Sequence, residues 1–325
     1  MGESMRLCHL LLAASAAVLI SSATAMADGE TIAVFTKNLT NPFFQNERVG
    51  AENAAKQLNA KVIQYTPTKP DSIPEQLSEI EDVTIKKPNA VVFVPVDYKA
   101  MVPGVEKLNA AGIPVVNITD HLAGGKIVAF VGINDVQVGM TTAESLMKAI
   151  GGKGNVVILE GVKGSISSQD RVKGFNDVIK KYPDVKLLAS QPGNFQRLNA
   201  LQVMENLLQS HPQINGVLAA NDAMAIGAIE ALDGASRKAI VVGINGTKEA
   251  VDAIKAGKLL SSGQADPFMQ ACIGTIIAIR HLRKLPIKQE IILKPSVIDK
   301  SNFQEFDKPV EARSCPKWEE IAANN

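Results

Sequence analysis

Short apolar runs alternate along the chain with stretches in which apolar residues recur every three or four positions. The runs are typical of buried strands, and the longer stretches are typical of helices with one apolar face. A first series predicts strands at residues 32–35, 61–65, 90–94, 113–118 and 127–131. Helices are predicted between these strands, and the first of them begins near Gln45. Strand centres recur about every thirty residues, the length of a unit in which a helix connects two parallel strands.

The same alternation begins again after a glycine-rich break at residues 151–154. This second series predicts strands at residues 156–159, 185–190, 217–220, 240–244 and 260–262. A helix at 267–282 and a strand at 290–293 precede a tail without a regular pattern, which we interpret as a surface strap or a cap over a hinge. The predicted fold class is α/β, with two doubly wound parallel-sheet lobes in tandem.

The segments that follow the predicted strands are rich in Asn, Gln, Asp and Arg, and they contain three Phe residues. In open parallel sheets, ligands bind in the crevice at the carboxyl ends of the strands. The segments in question are residues 37–44, 95–97, 119–121, 164–171, 191–195, 221–222, 245–246 and 264–266. Amides and carboxylates fit adjacent hydroxyl groups, and aromatic faces cover a C–H surface. The pattern therefore predicts a site for a neutral, hydroxylated small molecule.

Several of these residues also have a purely structural explanation as a turn, a helix cap, a loop anchor or part of the core. Such an explanation applies to Asn41, Phe43, Phe44, His121, Arg171, Asn221 and Asn245. The functional interpretation rests on their joint position at strand ends.

Charge and motifs exclude other classes of function. The chain has 34 Lys and Arg against 33 Asp and Glu, a net charge of +1, so we expect no nucleic-acid partner. No G-x-S-x-G, H-E-x-x-H or P-loop motif is present, and the histidines lack the spacing of metal ligands. We therefore expect a protein that is not an enzyme and has no metal or cofactor.

The N-terminus has the pattern of a secretory signal. An apolar run at residues 10–20 follows Arg6 and precedes Ala25-Met26-Ala27, a pattern typical of signal cleavage. We predict a signal peptide over residues 1–27, because the run is shorter than the ~20 residues that span a bilayer. The remaining chain keeps Cys272 and Cys315, which either form a disulfide or remain a buried thiol and a tail thiol.

In these motifs the chain resembles the periplasmic sugar-binding proteins of the ribose-binding type, which serve ABC importers. The motifs are TIAVFTKNLTNPFF at residues 31–44, IPVV at 113–116, DRVKGF at 170–175, ASQPGNFQR at 189–197, NDAMAIGAIEAL at 221–232 and VVGINGT at 241–247. The resemblance implies a type I periplasmic binding fold, in which three crossovers form the hinge between two lobes. By this likeness one lobe has residues 28–132 plus 266–295, and the other has residues 133–265 plus 296–325.

The resemblance also implies a set of ligand contacts. Asn41, Phe43 and Phe44 match contacts of the first lobe, and Phe195 and Asn221 match contacts of the second, with Phe44 and Phe195 on opposite sides of the ligand. The full candidate set is Lys37, Asn41, Phe43, Phe44, Asp120, Gln169, Arg171, Phe195, Asn221, Asn245 and Gln264.

The chain departs from the ribose-binding pattern at several of these positions. Thr119-Asp120-His121 stands in place of an Asp-Arg pair, so Asp120 takes the Asp role only if the register shifts by one residue. Gln169 replaces an Arg, Asn245 replaces an Asp, and Lys37 replaces a small polar residue. The final Gln aligns with either Gln264 or Ala265.

These changes remove fixed charges and introduce amides. We therefore expect a neutral polyhydroxylated ligand, with a sugar alcohol or a modified sugar ahead of ribose.

The predicted function is capture of a sugar or polyol in the periplasm by a monomer that delivers it to an inner-membrane ABC permease. A receptor for a sugar-like quorum or chemotaxis signal is the alternative on the same scaffold. We do not expect a repressor with this core, because a repressor needs a helix-turn-helix ahead of the first lobe, where this sequence has the predicted signal peptide.

Overall fold

The structure, a computed structural model, describes residues 29–324, so the predicted signal peptide lies outside the described residues. The strands are β1 (Thr31–Phe35), β2 (Lys61–Tyr65), β3 (Ala90–Phe93), β4 (Val115–Ile118), β5 (Ala129–Ile133), β6 (Lys153–Glu160), β7 (Asp184–Pro192), β8 (Gly216–Ala219), β9 (Ile240–Asn245), β10 (Ser261–Gln264), β11 (Glu290–Leu293) and β12 (Ser296–Asp299). The helices are α1 (Pro42–Gln57), α2 (Ile73–Lys86), α3 (Val102–Ala110), α4 (Asp135–Ala149), α5 (Ile166–Ile179), α6 (Arg197–Ser210), α7 (Asp222–Gly234), α8 (Lys248–Lys255), α9 (Pro267–Leu282) and α10 (Trp318–Asn324). Within this range no helix is long and apolar enough to cross a membrane.

The strands form two six-stranded sheets, one in each lobe. The sheet of the N-terminal lobe has the order β11-β5-β4-β3-β1-β2 and is parallel throughout. The sheet of the C-terminal lobe has the order β12-β10-β9-β8-β6-β7 and is parallel except for β12. The central strands are fully buried, as expected for parallel sheets covered by helices on both faces. The predicted fold class is confirmed.

The chain passes between the sheets at three places. These crossovers connect β5 to α4, β10 to α9 and β11 to β12. Because α9 and β11 return to the N-terminal lobe, each lobe is built from two separate parts of the chain. The carboxyl ends of β1, β4, β6, β8 and β9 therefore bring distant loops together between the lobes.

Helix α1 and strand β12 are among the elements that differ from the sequence prediction. Helix α1 begins at Pro42, three residues before Gln45, because Pro fits the first helical turn and the Asn41 side chain caps it. Strand β12 was predicted as irregular, yet it pairs antiparallel with β10 at the edge of the sheet. A four-residue edge strand carries too little periodicity to be recognised from its sequence alone.

The residues after β12 form a strap across both lobes, which we call the C-terminal strap (residues 303–318). On the C-terminal lobe, Asp307 pairs with Lys255 at 3.0 Å and with Lys248 at 3.1 Å. On the N-terminal lobe, Cys315 forms a disulfide with Cys272 of α9, with a Cα–Cα distance of 5.6 Å. The structure thus selects the disulfide over free thiols. Cys315 lies within residues 296–325, which we assign to the C-terminal lobe, and it is bonded to a helix of the N-terminal lobe.

Candidate ligand-binding cleft

One cavity lies between the lobes, where the carboxyl ends of the two sheets face each other. Both lobes contribute hydrogen-bonding side chains to its wall, together with three aromatic rings. The lining residues are Lys37, Asn41, Phe43, Phe44, Thr119, Asp120, Ser165, Ser167, Arg171, Phe195, Asn221 and Asn245. Nine of the eleven candidate residues are among them. The remaining space is about 30 Å³, so the lobes are closed over the cavity.

Three lining residues have a backbone conformation that side chains other than Gly rarely adopt. The φ angles are 68° at Thr119, 58° at Phe195 and 141° at Asn245. Such conformations cost about 1–3 kcal/mol each and are concentrated at functional sites, where the surrounding structure holds them. The surrounding structure therefore holds the backbone of these three residues in place at the cavity.

The position of Asp120 depends on the residue before it. Strand β4 ends at Ile118, and the left-handed conformation of Thr119 turns the chain so that Asp120 lines the cavity. Asp120 therefore lies in the cleft, one residue along the chain from the Asp of the ribose-binding pattern. The next residue, His121, packs edge-on against Phe130, with ring centroids 4.5 Å apart, and does not line the cavity.

Asp120 connects the two lobes through its carboxylate. Lys37, from its own lobe, forms an ion pair with it. From the other lobe, the backbone amide of Ser167 donates to it at 2.9 Å, and the hydroxyl of Ser165 at 3.0 Å. Burial by itself raises the pKa of Asp120, but Lys37 and Ser167 outweigh it and hold that pKa below its usual value. Asp120 is therefore an anion that holds the start of α5 against the N-terminal lobe.

Arg171 donates hydrogen bonds to three acceptors on the side of the cavity that the C-terminal lobe forms. Its Nε donates to Asp135 at 2.7 Å, and its Nη1 donates to the Ala220 carbonyl at 2.9 Å and to Asn245 Oδ1 at 3.1 Å. Burial raises the pKa of Asp135 to about 6, although Arg171 acts in the opposite direction. Arg171 thus holds the loops together, which is one of the two roles considered for it, and it also lines the cavity, while its contact with a ligand stays a prediction.

Two glycines allow the helices that carry Arg171 and Asp135 to touch. A Cβ atom at Gly139 of α4 would lie 2.5 Å from the Arg171 carbonyl oxygen. A Cβ atom at Gly174 of α5 would lie 2.3 Å from the Val136 carbonyl oxygen. The backbones of α4 and α5 therefore approach as closely as they do only because neither position has a side chain.

The aromatic rings enter the cavity from both lobes. Phe43 and Phe44 lie in the first turn of α1 and contact each other edge-on, with centroids 5.2 Å apart. Phe195 packs over Gly161, where a Cβ atom would lie 2.2 Å from the ring. Asn221 caps α7 and also donates to the Phe195 carbonyl at 3.2 Å, so it fixes the loop that presents this ring.

Two candidate residues do not reach the cavity. Gln169 is exposed and donates to the Lys163 carbonyl at 2.9 Å. Gln264 accepts from Ser296 at 2.5 Å and lines a different cavity, beneath the C-terminal strap. The alternative for that position, Ala265, is buried and does not line the cleft either.

Helical spacing explains why Gln169 does not reach the cavity and why Ser167, which the candidate set missed, does. Positions four apart lie on one face of a helix, and positions two apart do not. Ser167 therefore shares the cavity face with Arg171, whereas Gln169 does not. Ser165 is the N-cap of the same helix. Counting four residues back from Arg171, to the next position on the same face of the helix, would have selected Ser167 from the sequence.

Although the substitutions remove some of the charges of the ribose-binding pattern, fixed charges remain at the cavity. Lys37 with Asp120 and Arg171 with Asp135 are buried ion pairs at the cavity. Their charges cancel in pairs, so the lining as a whole suits a neutral ligand rather than an ion. Among residues 29–324, no group of three or more His, Cys, Asp or Glu is arranged to hold a metal ion.

Two α/β lobes that close over one polar cavity define a two-lobed solute-binding protein. The sequence model of the periplasmic binding protein domain matches residues 32–285, and the chain belongs to this family. Within the family it stands with the ribose-type sugar-binding proteins of ABC importers.

Three known proteins illustrate the similarity. The ribose import binding protein of Bacillus subtilis strain 168 is 34% identical over 257 residues, which cover 78% of this chain and 83% of that protein. An ABC transporter solute-binding protein of Actinobacillus succinogenes, solved with D-allose, is 35% identical with a TM-score of 0.80, covering 85% of this chain and 99% of that one. A Caulobacter myo-inositol-binding protein, solved with myo-inositol, is 29% identical with a TM-score of 0.80, covering 85% and 95%.

Proposed function

We propose that this protein captures a neutral polyhydroxylated molecule, a sugar or sugar alcohol, between its lobes and delivers it to an inner-membrane ABC permease. The observation that carries this proposal is the lining of the cleft. Hydroxyls, amides and charge-compensated ionic groups from both lobes surround one cavity that also has aromatic rings on it. Such a lining offers donors and acceptors to ligand hydroxyls and apolar faces to ligand C–H groups.

We further propose that the lining residues bind the ligand directly. The amides come from Asn41, Asn221 and Asn245. Phe44 and Phe195 cover the two faces of the ligand. The side chains that complete the site are Lys37, Phe43, Thr119, Asp120, Ser165, Ser167 and Arg171. Entry requires the lobes to open, because Asp120 is bonded from both lobes in the closed arrangement. Closure by a hinge of this kind is a common response to ligand.

A sugar alcohol or modified sugar is the ligand class that we place ahead of ribose. One guanidinium lines the cavity, that of Arg171, and it is already bonded to Asp135, Ala220 and Asn245. Position 121 has a histidine that stays outside the cavity, and position 245 has an amide in place of a carboxylate. The charged clamp typical of ribose-type sites is therefore weakened here. The relative that binds myo-inositol supports a polyol.

The proposal also includes where the protein acts and what happens to the bound molecule. The relatives of this chain are periplasmic binding proteins, and we propose that residues 1–27 act as the export signal. The family is one of solute-binding proteins. We infer that the bound molecule leaves the cleft chemically unchanged.

Calorimetric titration of residues 28–325 with pentoses, hexoses, and linear and cyclic polyols tests the proposal. We expect one ligand class to bind with a Kd near 1 μM, equivalent to ~−8 kcal/mol. Asp120→Asn should weaken binding roughly 10- to 100-fold, because hydrogen bonds to a charged group contribute about 1.5–3 kcal/mol.

Asp177→Asn is the matched control, since Asp177 pairs with Lys173 and Lys180 on the far side of the same helix. It should leave the Kd unchanged. Binding of no panel member contradicts the proposed function, and tightest binding of ribose contradicts the preference for polyols.

A further inference from the structure

A buried carboxyl group lies next to the cleft without lining it. Glu47 is on α1 and is fully buried. Its Oε1 is 2.5 Å from the Oγ1 of Thr119, which does line the cavity. Its Oε2 has no hydrogen-bond partner among the described residues. Neither the fold nor the proposed ligand contacts account for an acid at this position.

The Thr119 hydroxyl has a second oxygen beside it. Its Oγ1 is 3.1 Å from the Oε1 of Gln270 on α9. The orientation of the Gln270 amide is fixed, because its Nε2 donates to the Ala265 carbonyl at 2.6 Å. The opposite orientation would place two acceptor oxygens against each other at that distance. Gln270 therefore presents an acceptor, and not a donor, to Thr119.

Counting protons assigns the charge state of Glu47. A hydroxyl has one proton to donate, yet Thr119 contacts two acceptor oxygens. If Glu47 were ionised, one of these contacts would join two oxygens with no proton between them. Both contacts are satisfied if Glu47 is a neutral acid that donates to Thr119 while Thr119 donates to Gln270. This arrangement forms a continuous chain of hydrogen bonds from Glu47 to the crossover at Ala265.

The electrostatic environment agrees with this assignment. Burial raises the pKa of Glu47 to about 8, with Thr119 and Lys37 acting in the opposite direction. The charged groups that face Glu47 are Lys37 after β1, Asp120 after β4 and Arg48 on its own helix. Lys37 is already paired with Asp120, so it is not available as a full counter-charge for Glu47. From α9 the facing group is the neutral Gln270.

We propose that Glu47 is a positioning residue for ligand binding: as a neutral carboxylic acid it donates to Thr119, so that Thr119 can donate to Gln270 and the chain of hydrogen bonds to Ala265 holds the Thr119 loop at the cavity. An ionised Glu47 would take the Thr119 proton itself and break the contact between Thr119 and Gln270, so the chain depends on the neutral form. This inference rests on the proposed function, because it assigns a role within the same site.

Three variants test the role of Glu47 through ligand affinity. Glu47→Gln keeps an N–H that can donate to Thr119, so at pH 7 its affinity should stay within about threefold of the wild type. Glu47→Leu has no donor. Its ligand affinity should fall roughly 3- to 30-fold, the range expected when one hydrogen bond is lost and the Thr119 hydroxyl reorients. In a Thr119→Val background, the Gln and Leu variants should bind equally, since the hydroxyl that Glu47 orients is gone.

The pH profile separates orientation from a merely structural role. Wild-type affinity should be constant from pH 6.5 to 7.5 and fall as pH rises through about 8, where Glu47 ionises and Thr119 turns to donate to it. The Gln variant should lose this fall. Glu52→Gln, an exposed glutamate on the same helix, is the control and should keep the wild-type profile. An unchanged fall in Glu47→Gln overturns the inference.

A measurement without ligand keeps this test distinct from the proposed function. At pH 7, the infrared difference spectrum of wild type minus Glu47→Gln should show the carbonyl band of a neutral carboxylic acid, because the contribution of Glu79, whose pKa burial raises to about 7, cancels between the two proteins. If that band is missing from the difference spectrum, the inference is overturned whatever the protein binds. If the band is present but no panel ligand binds, the charge state stands, while the proposed function and the role of Glu47 in binding both fail.

Discussion

Individual carboxyl groups around the cleft differ in how their charge is compensated. Asp120 is bonded to Lys37 and to Ser167, and its pKa is held low despite complete burial. Glu47 has one neutral hydroxyl as its partner, and burial raises its pKa to about 8. Burial alone therefore does not decide the charge of a group here; the contacts that it makes inside the protein do.

This difference predicts how stability depends on pH. The folded pKa of Glu47 lies above the unfolded value of 4.5, so the folded protein holds an extra proton between about pH 4.5 and 8. The free energy of unfolding should therefore fall as pH rises through this range, by up to about 1.4 kcal/mol per pH unit. Glu79, with a pKa of about 7, should add to the fall below pH 7, and Asp135 and Asp71, both with a pKa of about 6, should add to it below pH 6.

Urea unfolding of the wild type and of Glu47→Gln between pH 6.5 and 8 tests the contribution of Glu47, because Glu79, whose pKa burial raises to about 7, contributes equally in both proteins. The wild type should lose stability across this interval, and Glu47→Gln should show a flatter dependence. Equal slopes in the two proteins would show that Glu47 ionises normally in the folded state.

At the residue scale, the sequence predicts which residue types surround the cavity better than it predicts where they point. Phe195 and Asn221 follow strand ends and match contacts of the ribose-binding type, and both line the cleft. Gln169 also follows a strand end, but it lies on the wrong face of α5. The positive φ of Thr119 and the contact of this residue with Glu47 arise from tertiary packing, so no local pattern reveals them.

At the scale of elements, the crossing of α4 and α5 sets the position of Arg171. Both helices were predicted from apolar periodicity, which identifies buried faces but not how closely two backbones approach. The closeness depends on Gly139 and Gly174. Similarly, periodicity placed the start of α1 too late, because the capping Asn41 and the proline after it extend the helix beyond its apolar pattern.

Gly139→Ala tests the importance of this crossing. The added methyl group meets the Arg171 backbone, so the helices must separate, and we expect a loss of about 1–3 kcal/mol in unfolding free energy. Ligand affinity should fall as well, because Arg171 moves relative to Asn245. Gly234→Ala at the end of α7 is the control, since its added Cβ has no neighbour within 4 Å. Equal stability and affinity in the two variants would contradict a tight crossing.

At the scale of the whole molecule, the C-terminal strap adds a fourth connection between the lobes. The chain crosses from β11 to β12, and the strap then crosses back to the disulfide at Cys272. Arg313 of the strap also pairs with Asp266 at the second crossover, at 2.8 Å. Composition and spacing left the pairing of the cysteines open, because a separation of 43 residues says nothing about distance in space.

Cys315→Ser should therefore lower the stability of the protein. A disulfide that closes a loop of this length contributes about 2–4 kcal/mol, largely by restricting the unfolded chain. Thermal unfolding should show a lower Tm for the variant, and a reducing agent should lower the Tm of the wild type to a similar value. A reducing agent that lowers the Tm of Cys315→Ser equally would show that the effect does not come from this bond.

Contacts between the lobes hold the whole molecule in its closed form. Ser167 bonds to Asp120, the Tyr98 amide donates to the Gly164 carbonyl at 3.2 Å, and Thr40 lies 3.0 Å from Gln196. Each joins one lobe to the other beside the cavity. A ligand that bonds to both walls adds to these contacts, so binding and closure should be coupled.

Small-angle X-ray scattering of the protein with and without its best ligand tests this account most directly. The account predicts that the radius of gyration decreases when the ligand saturates the protein, and that Asp120→Asn at the same saturation shows a smaller decrease. A ligand that binds without changing the scattering, and with the same affinity in Asp120→Asn, would contradict a site that closes between the lobes.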